Sequence, residues 1–214
     1  MARAGLSELL KRQMQAIARY DWWLHGLHEY LTLNDAPGPA DLIFVLAGRM
    51  DRKLYGLELY RAGVAPRLLL SVGRFEVSKM AKIGLEGLDE LIAQRNQLPP
   101  DKRHFFCEVN GSGIQIEQAT LPRWNTYGEI LGLREYLEGH MPRNVIVISS
   151  DVHLRRVALI VEKVFRGTPL KVRYCPVTTQ DGAYVLNETT KLAAYRIILS
   201  LPEGLIRRIM RLKD

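Results

Sequence analysis

Only two cysteines, Cys107 and Cys175, occur in 214 residues, too few for a disulfide framework, so a reducing compartment is the default. No apolar run approaches the ~20 residues that cross a bilayer; the best, Leu42 to Ala47, is strand-sized. The N-terminal segment carries no charged-then-apolar leader, because Lys11, Arg12 and Arg19 interrupt it. These absences predict a soluble, cytoplasmic protein. Chemical fingerprints are missing too. There is no G-x-G-x-x-G and no G-x-x-x-x-G-K-[ST], hence neither a standard dinucleotide turn nor a Walker loop. The absence of a G-x-S-x-G elbow argues against an α/β-hydrolase. No zinc-finger spacing or aromatic RNA-binding motif occurs, so nucleic acid is not an expected partner. His25 with His28, and His104 with Cys107, lack further ligands at a recognisable metal spacing, and no metal is predicted.

What is present is an ordinary globular composition, 47% hydrophobic and 25% charged, in a chain long enough for one good-sized domain with its own core. Lys plus Arg number 30 against 23 Asp plus Glu, a net charge of +7. That excess favours anionic partners, although Arg207, Arg208, Arg211 and Lys213 concentrate part of it in the C-terminal tail.

Apolar periodicity organises the chain. Leu6, Leu9, Leu10, Met14, Ile17, Leu24, Leu27 and Leu31 recur near the 3.6-residue period, predicting helix over 6–31. The breaker cluster Asn34 to Pro39 then separates a helical extension, residues 1–38, from a domain over 39–200. Within that domain, Asp41 to Ala47 reads as a strand buried on both faces, followed by a helix near 51–62 and a strand at 67–71. A helix over 76–96 comes next. Asn110-Gly111 marks a hairpin between 104–109 and 114–118, with Ser112-Gly113 predicting a loop longer than two residues. A helix over 125–138, a strand at 144–149, a helix over 151–165, a strand at 170–175 and a helix near 188–199 complete the domain. Residues 201–214 read as a basic amphipathic tail, able to dock as a helix or to make weak contact with a membrane surface. Alternating strands and helices predict an α/β fold whose mainly parallel sheet is covered on both faces. In such a sheet the strand C-termini share one edge, where ligands bind.

The polar residues gather at that predicted edge. Gly48-Arg49 and Arg52 follow the first strand, where glycine lets a ligand approach the backbone and arginine clamps an anion; an ordinary turn is the plainer alternative. Ser71 and Gly73 follow the second strand. Glu117 ends a strand, and Asn125-Thr126 opens the next helix, where capping competes with ligand binding. Ser150 and Asp151 suit a helix start. His153 and Arg156 lie on the face shared with Val157, Ile160 and Val164, so they point into the crevice.

Taken in order, these pieces resemble the YdcF-like family of bacterial proteins, an unknown-function domain shared with SanA and ElyC. The resemblance runs from about Ala40 to Val177. It rests on A-D-L-I-F-V-L-A-G with Arg52, L-Y-R-A-G-V-A-P, L-L-L-S-V-G with Glu76, I-Q-I-E with Asn125-Thr126, and I-S-S-D-V-H-L-R-R-V. Two departures are visible. Ala47-Gly48 and Val72-Gly73 stand where Gly-Gly pairs are frequent, and the carboxylate after Asn-Thr, Glu129, is displaced by one residue. The resemblance implies a Rossmann-like three-layer sandwich, flanked here by N- and C-terminal helices, and the soluble type within the family. It implies Gly48, Arg52, Ser71, Gly73, Glu76, Glu117, Asn125, Thr126, Ser150, His153 and Arg156 as site residues, with S-adenosylmethionine as a ligand candidate. The leading expectation is a site for a nucleotide-like or phosphorylated small molecule, with His153 and Glu117 as acid/base candidates. A phosphoryl hydrolase or transferase acting on an envelope precursor, or a non-catalytic regulator of envelope biogenesis, are the alternatives.

Overall fold

The computed structural model describes residues 22–118, 125–139, 141–179 and 182–210. Six strands form one sheet in the order β4-β3-β2-β1-β5-β6. They are β1 (Leu42–Val45), β2 (Leu68–Val72), β3 (Phe105–Asn110), β4 (Gly113–Gln118), β5 (Asn144–Ser150) and β6 (Lys171–Val177). β2, β1, β5 and β6 run parallel, while β3 is antiparallel to both of its neighbours. The helices are α1 (22–31), α2 (Met50–Arg61), α3 (Leu88–Gln97), α4 (Thr126–Tyr136), α5 (Asp151–Val164), α6 (Gly182–Leu199) and α7 (Glu203–Ile209).

Strand alternation sorts the core into two layers. Leu42, Phe44, Leu69, Phe106, Val145 and Val147 face α4 and α5. Ile43, Val45, Leu68, Leu70, Ile146 and Ile148 point the other way, with Leu57 and Leu59 of α2 and Leu91 of α3. Both faces are covered, which is why β1 and β5 carry unbroken apolar runs. The result is an α/β three-layer sandwich of Rossmann-like architecture. α2 reaches the sheet through Gly56, where a Cβ would stand 2.4 Å from Val45 Cγ2.

Three sequence expectations need correction. The helix expected over 76–96 is broken into a 3-10 segment, Val77–Ile83, and α3. Gly84 adopts the left-handed conformation at φ 65°, and the Glu86 N–H bonds Ser112 O at 2.8 Å, drawing the chain out to the hairpin. The hairpin loop is Gly111-Ser112 alone, since Asn110 pairs with Gly113, and Gly111 supplies the positive φ of 62°. α6 begins at Gly182, several residues earlier than its apolar pattern suggests.

Both extensions pack on the domain. The expected N-terminal helix lies outside the described residues up to 21; over 22–31, Leu24, Leu27 and Leu31 meet Val152, Val185 and Leu192. α7 docks through fully buried Ile206, and Met210 O accepts the Asn125 side chain at 3.1 Å. Among the described residues, no helix is long and apolar enough to cross a membrane.

The chain leaves β1 for β2 on one side and returns on the other side as β5. Connections therefore diverge between β1 and β5, leaving a crevice above their C-terminal ends, the usual ligand position in such sheets.

Candidate functional site

A cleft of about 380 Å³ opens at that crevice. The β1–α2 turn contributes Ala47, Gly48, Arg49 and Arg52, and the β5–α5 junction contributes Ser150, Val152, His153 and Arg156. Lys79, Thr179, Tyr184 and Glu188 complete it. Its charged lining is four cations against one carboxylate. Glu188 is already engaged by Arg156 Nε and Nη2, at 3.0 and 2.8 Å, and by Lys191 at 2.9 Å.

The turn that carries Gly48 is held by carboxylates from two other elements. Glu129 of α4 accepts the Ala47 N–H at 2.7 Å. Glu76 accepts the Gly48 N–H and, at 2.5 Å, the ammonium of fully buried Lys53. These N–H groups, which a phosphate-binding glycine turn offers to its ligand, are consumed internally. Gly48 serves a different need. At φ 133° it occupies a conformation that L side chains rarely adopt, and a Cβ there would lie 2.8 Å from Arg52 Nη1. Glycine at this position admits the arginine.

Arg52 is accordingly well anchored but incompletely satisfied. It is 8% exposed, donates to Ala47 O at 2.8 Å and to Ser150 Oγ at 2.7 Å, and leaves a buried Nε without a partner. Burial lowers its pKa, against the raising effects of Glu129, Glu76 and Asp51; a guanidinium stays charged regardless. Thr179, 9% exposed, makes no close hydrogen bond through Oγ1, but lies near enough to the Asp151 carboxylate to help lower its pKa. Of the orphaned buried side-chain atoms among the described residues, Arg52 Nε is the one in a cleft-lining residue without such a neighbour. Such orphans cost about 1–3 kcal/mol each unless something bonds them.

His153 is held between two hydroxyls, with Nδ1 at 2.8 Å from Ser149 Oγ and Nε2 at 3.3 Å from Thr126 Oγ1. Burial, then the charges of Arg156, Arg52 and Lys191, push its pKa well below 6.5. Hydroxyls can donate or accept, so a neutral ring is satisfied in either tautomer. The ordinary histidine pKa behind the acid/base expectation gives way to a neutral, positioned imidazole. Thr126 Oγ1 also accepts from Arg156 at 2.7 Å, placing Thr126 behind the cleft wall.

Asp151 stands beside the cleft as a tie. Its carboxylate accepts from the Val152 N–H at 2.8 Å, from the Thr179 N–H at 3.0 Å, and meets His28 Nε2 at 3.0 Å. Burial raises its pKa, but these bonds outweigh that and leave it below the usual carboxylate value. His28, set aside in the sequence as a metal ligand, thereby joins α1 to the site.

Of the residues expected at the site, Gly48, Arg49, Arg52, Ser150, His153 and Arg156 converge on the cleft. Glu76, Thr126 and Asp151 support it from behind. Ser71 is fully buried and bonds His104 Nε2 at 2.7 Å; this meeting follows from the reversed direction of β3, which brings its N-terminal end to the C-terminal end of β2. Gly73 sits against Glu76, 3.6 Å from the position a Cβ would take to Oε1. Asn125 caps α4, accepting the Gly128 N–H at 2.7 Å. Glu117 does not reach the site. It is exposed on β4, three strands from β1, about 14 Å away at the usual strand spacing.

Sequence reasoning missed Lys53, Lys79, Thr179, Tyr184 and Glu188, and placed Glu129 only as the displaced carboxylate after Asn125-Thr126. Glu129 is completely enclosed. Burial raises its pKa, opposed by the Ala47 N–H and the Ser71 hydroxyl. Both cysteines are free and buried, and burial pushes Cys107 up to about 12 and Cys175 to about 11, so neither thiol is poised as a nucleophile. Among the described residues, no three His, Cys, Asp or Glu side chains gather into a metal-binding group. Compared with protein-family models, with curated proteins and with solved structures, the chain matches none.

Proposed function

We propose that this protein binds a small phosphorylated or nucleotide-like molecule in the cleft between the ends of β1 and β5. The observation that carries the reading is the charge of the cleft: Arg49, Arg52, Lys79 and Arg156 line it, and its single carboxylate, Glu188, is already held by Arg156 and Lys191. Guanidinium and ammonium N–H groups donate, and phosphate oxygens accept from them. Exposed Lys79, whose ammonium has no hydrogen-bond or ion-pair partner among the described residues, adds an uncompensated charge at the rim. The resemblance to the YdcF-like family, in which sites of this kind lie at the strand C-termini, supports the same location. A cytoplasmic setting, where phosphorylated metabolites are abundant and thiols stay reduced, fits both the ligand and the two free cysteines.

S-adenosylmethionine is the competing ligand from that resemblance. Its sulfonium adds a positive charge to a lining of four cations, and the lone carboxylate of the lining is held by Arg156 and Lys191. The charge balance therefore favours a phosphorylated compound. Calorimetry on the full chain with pyrophosphate, ribose 5-phosphate, nucleotides and S-adenosylmethionine tests this, alongside Thr179→Val. Removing this hydroxyl weakens phosphorylated ligands by about five- to tenfold, while circular dichroism shows the fold retained. Flat titrations with every phosphorylated compound, or binding of S-adenosylmethionine alone, overturn the proposal.

A further inference from the structure

The mouth of the cleft carries a feature that anion binding leaves unused. Tyr184, at the start of α6, lines the cleft and is 52% exposed. Two other exposed aromatics have their rings covered by cations: Arg155 and Arg196 lie over Tyr30, at 5.0 and 5.8 Å from its centroid, and Arg74 lies 4.3 Å over Phe75; Trp22 and Trp23 of α1 are exposed as well, but neither lines the cleft. Among the described residues, the Tyr184 ring meets neither a cation nor a second ring and makes no hydrogen bond. Arg49 lines the same mouth. Its Nε and Nη2 both donate to Asp51, at 2.9 and 2.5 Å, fixing the guanidinium by one edge. That pairing raises its pKa, through the Asp51 hydrogen bond first. A guanidinium tied by its edge keeps a planar face available, and guanidinium and phenol faces are the two side-chain surfaces on which nucleobases stack.

We infer that Tyr184 and Arg49 form a slot for a planar heteroaromatic ring, so that the phosphorylated ligand is a nucleotide. The inference rests on the reading of the cleft as a phosphate site and adds the base. The ring enters at the mouth between Tyr184 and Arg49, and the phosphate lies inward toward Arg52, Thr179 and Arg156. A volume of about 380 Å³ is at the low end for small-molecule sites, which suits one nucleotide.

The test compares AMP and GMP with ribose 5-phosphate, which has the same sugar and phosphate without a base. Calorimetry on wild type, Tyr184→Ala and Tyr184→Phe reads the ratio of nucleotide to ribose 5-phosphate affinity, with circular dichroism checking the fold. Wild type favours the nucleotide by about tenfold or more. Tyr184→Ala loses most of that ratio and Tyr184→Phe keeps it, because stacking needs the ring and not the hydroxyl. If ribose 5-phosphate binds and the nucleotide binds no more tightly, or if Tyr184→Ala leaves the ratio unchanged, the slot is overturned while the phosphate reading stands. If neither compound binds wild type, the phosphate reading falls and the slot with it.

Discussion

Glu129 is the residue whose chemistry differs most from its reading in sequence. A carboxylate in the first turn of a helix is ordinarily a solvated charge that favours the positive helix end. Here it is enclosed at the base of the β1–α2 turn and accepts the Ala47 N–H. Burial, opposed by that bond and by the Ser71 hydroxyl, leaves its pKa raised. An acid with a raised folded-state pKa stabilises the fold fully below its unfolded value, here 4.5, and that contribution is lost as pH rises through the folded value. Glu129→Gln, which keeps the accepting oxygen without the charge, is expected to gain stability relative to wild type as pH rises from 4.5 to neutrality. Urea denaturation across that range measures it, and a pH-independent difference would contradict the assignment. Residue identity alone gave no hint of this enclosure. It depends on α4 laying its first turn across the end of β1, contact information that lies far apart in the chain.

Elements were far more legible than residues, for a physical reason. β1 and β5 are buried on both faces, so their sequences, Leu42–Val45 and Asn144–Ser150, are nearly continuous apolar runs that only a central parallel strand requires. α5 showed itself through Val157, Ile160 and Val164, one stripe at helical spacing. The helix expected over 76–96 failed because two glycines at positive φ and a backbone bond from Glu86 to the hairpin outweighed an apolar pattern of modest strength. Glycine carries information in the opposite sense at Gly56, where it lets α2 lie close on the sheet. Gly56→Ala would drive a Cβ to 2.4 Å from Val45, and overpacking of this kind costs roughly 1–3 kcal/mol. Equilibrium unfolding checks this; an unchanged midpoint would mean that α2 can shift outward freely.

Across the whole molecule, the order of the strands does the assembling. Divergence of the connections at β1 and β5 brings Gly48–Arg52 and Ser150–Arg156 together although about a hundred residues separate them. That convergence was predictable from the α/β alternation. Glu117 was expected at the same place and is not there, because the β3–β4 hairpin extends the sheet sideways and carries it to the far edge. Thr179 and Tyr184 reach the cleft from the segment after β6 and from α6, and nothing in their local sequence marks them. α1 closes one flank through His28 and Asp151, and α7 is docked on the core by Ile206. On α7, exposed Arg208 and half-buried Arg207, which pairs with Glu203 at 3.5 Å, form a second basic surface that an anion can sample.

Amide chemical shifts of the full chain, titrated with pyrophosphate, separate these two basic regions most directly. Binding in the cleft moves the amides of Gly48–Arg52, Ser150–His153, Thr179 and Tyr184 together, with one saturating midpoint. No shift, or shifts centred on Arg207 and Arg208 that disappear at moderate salt, would contradict the account.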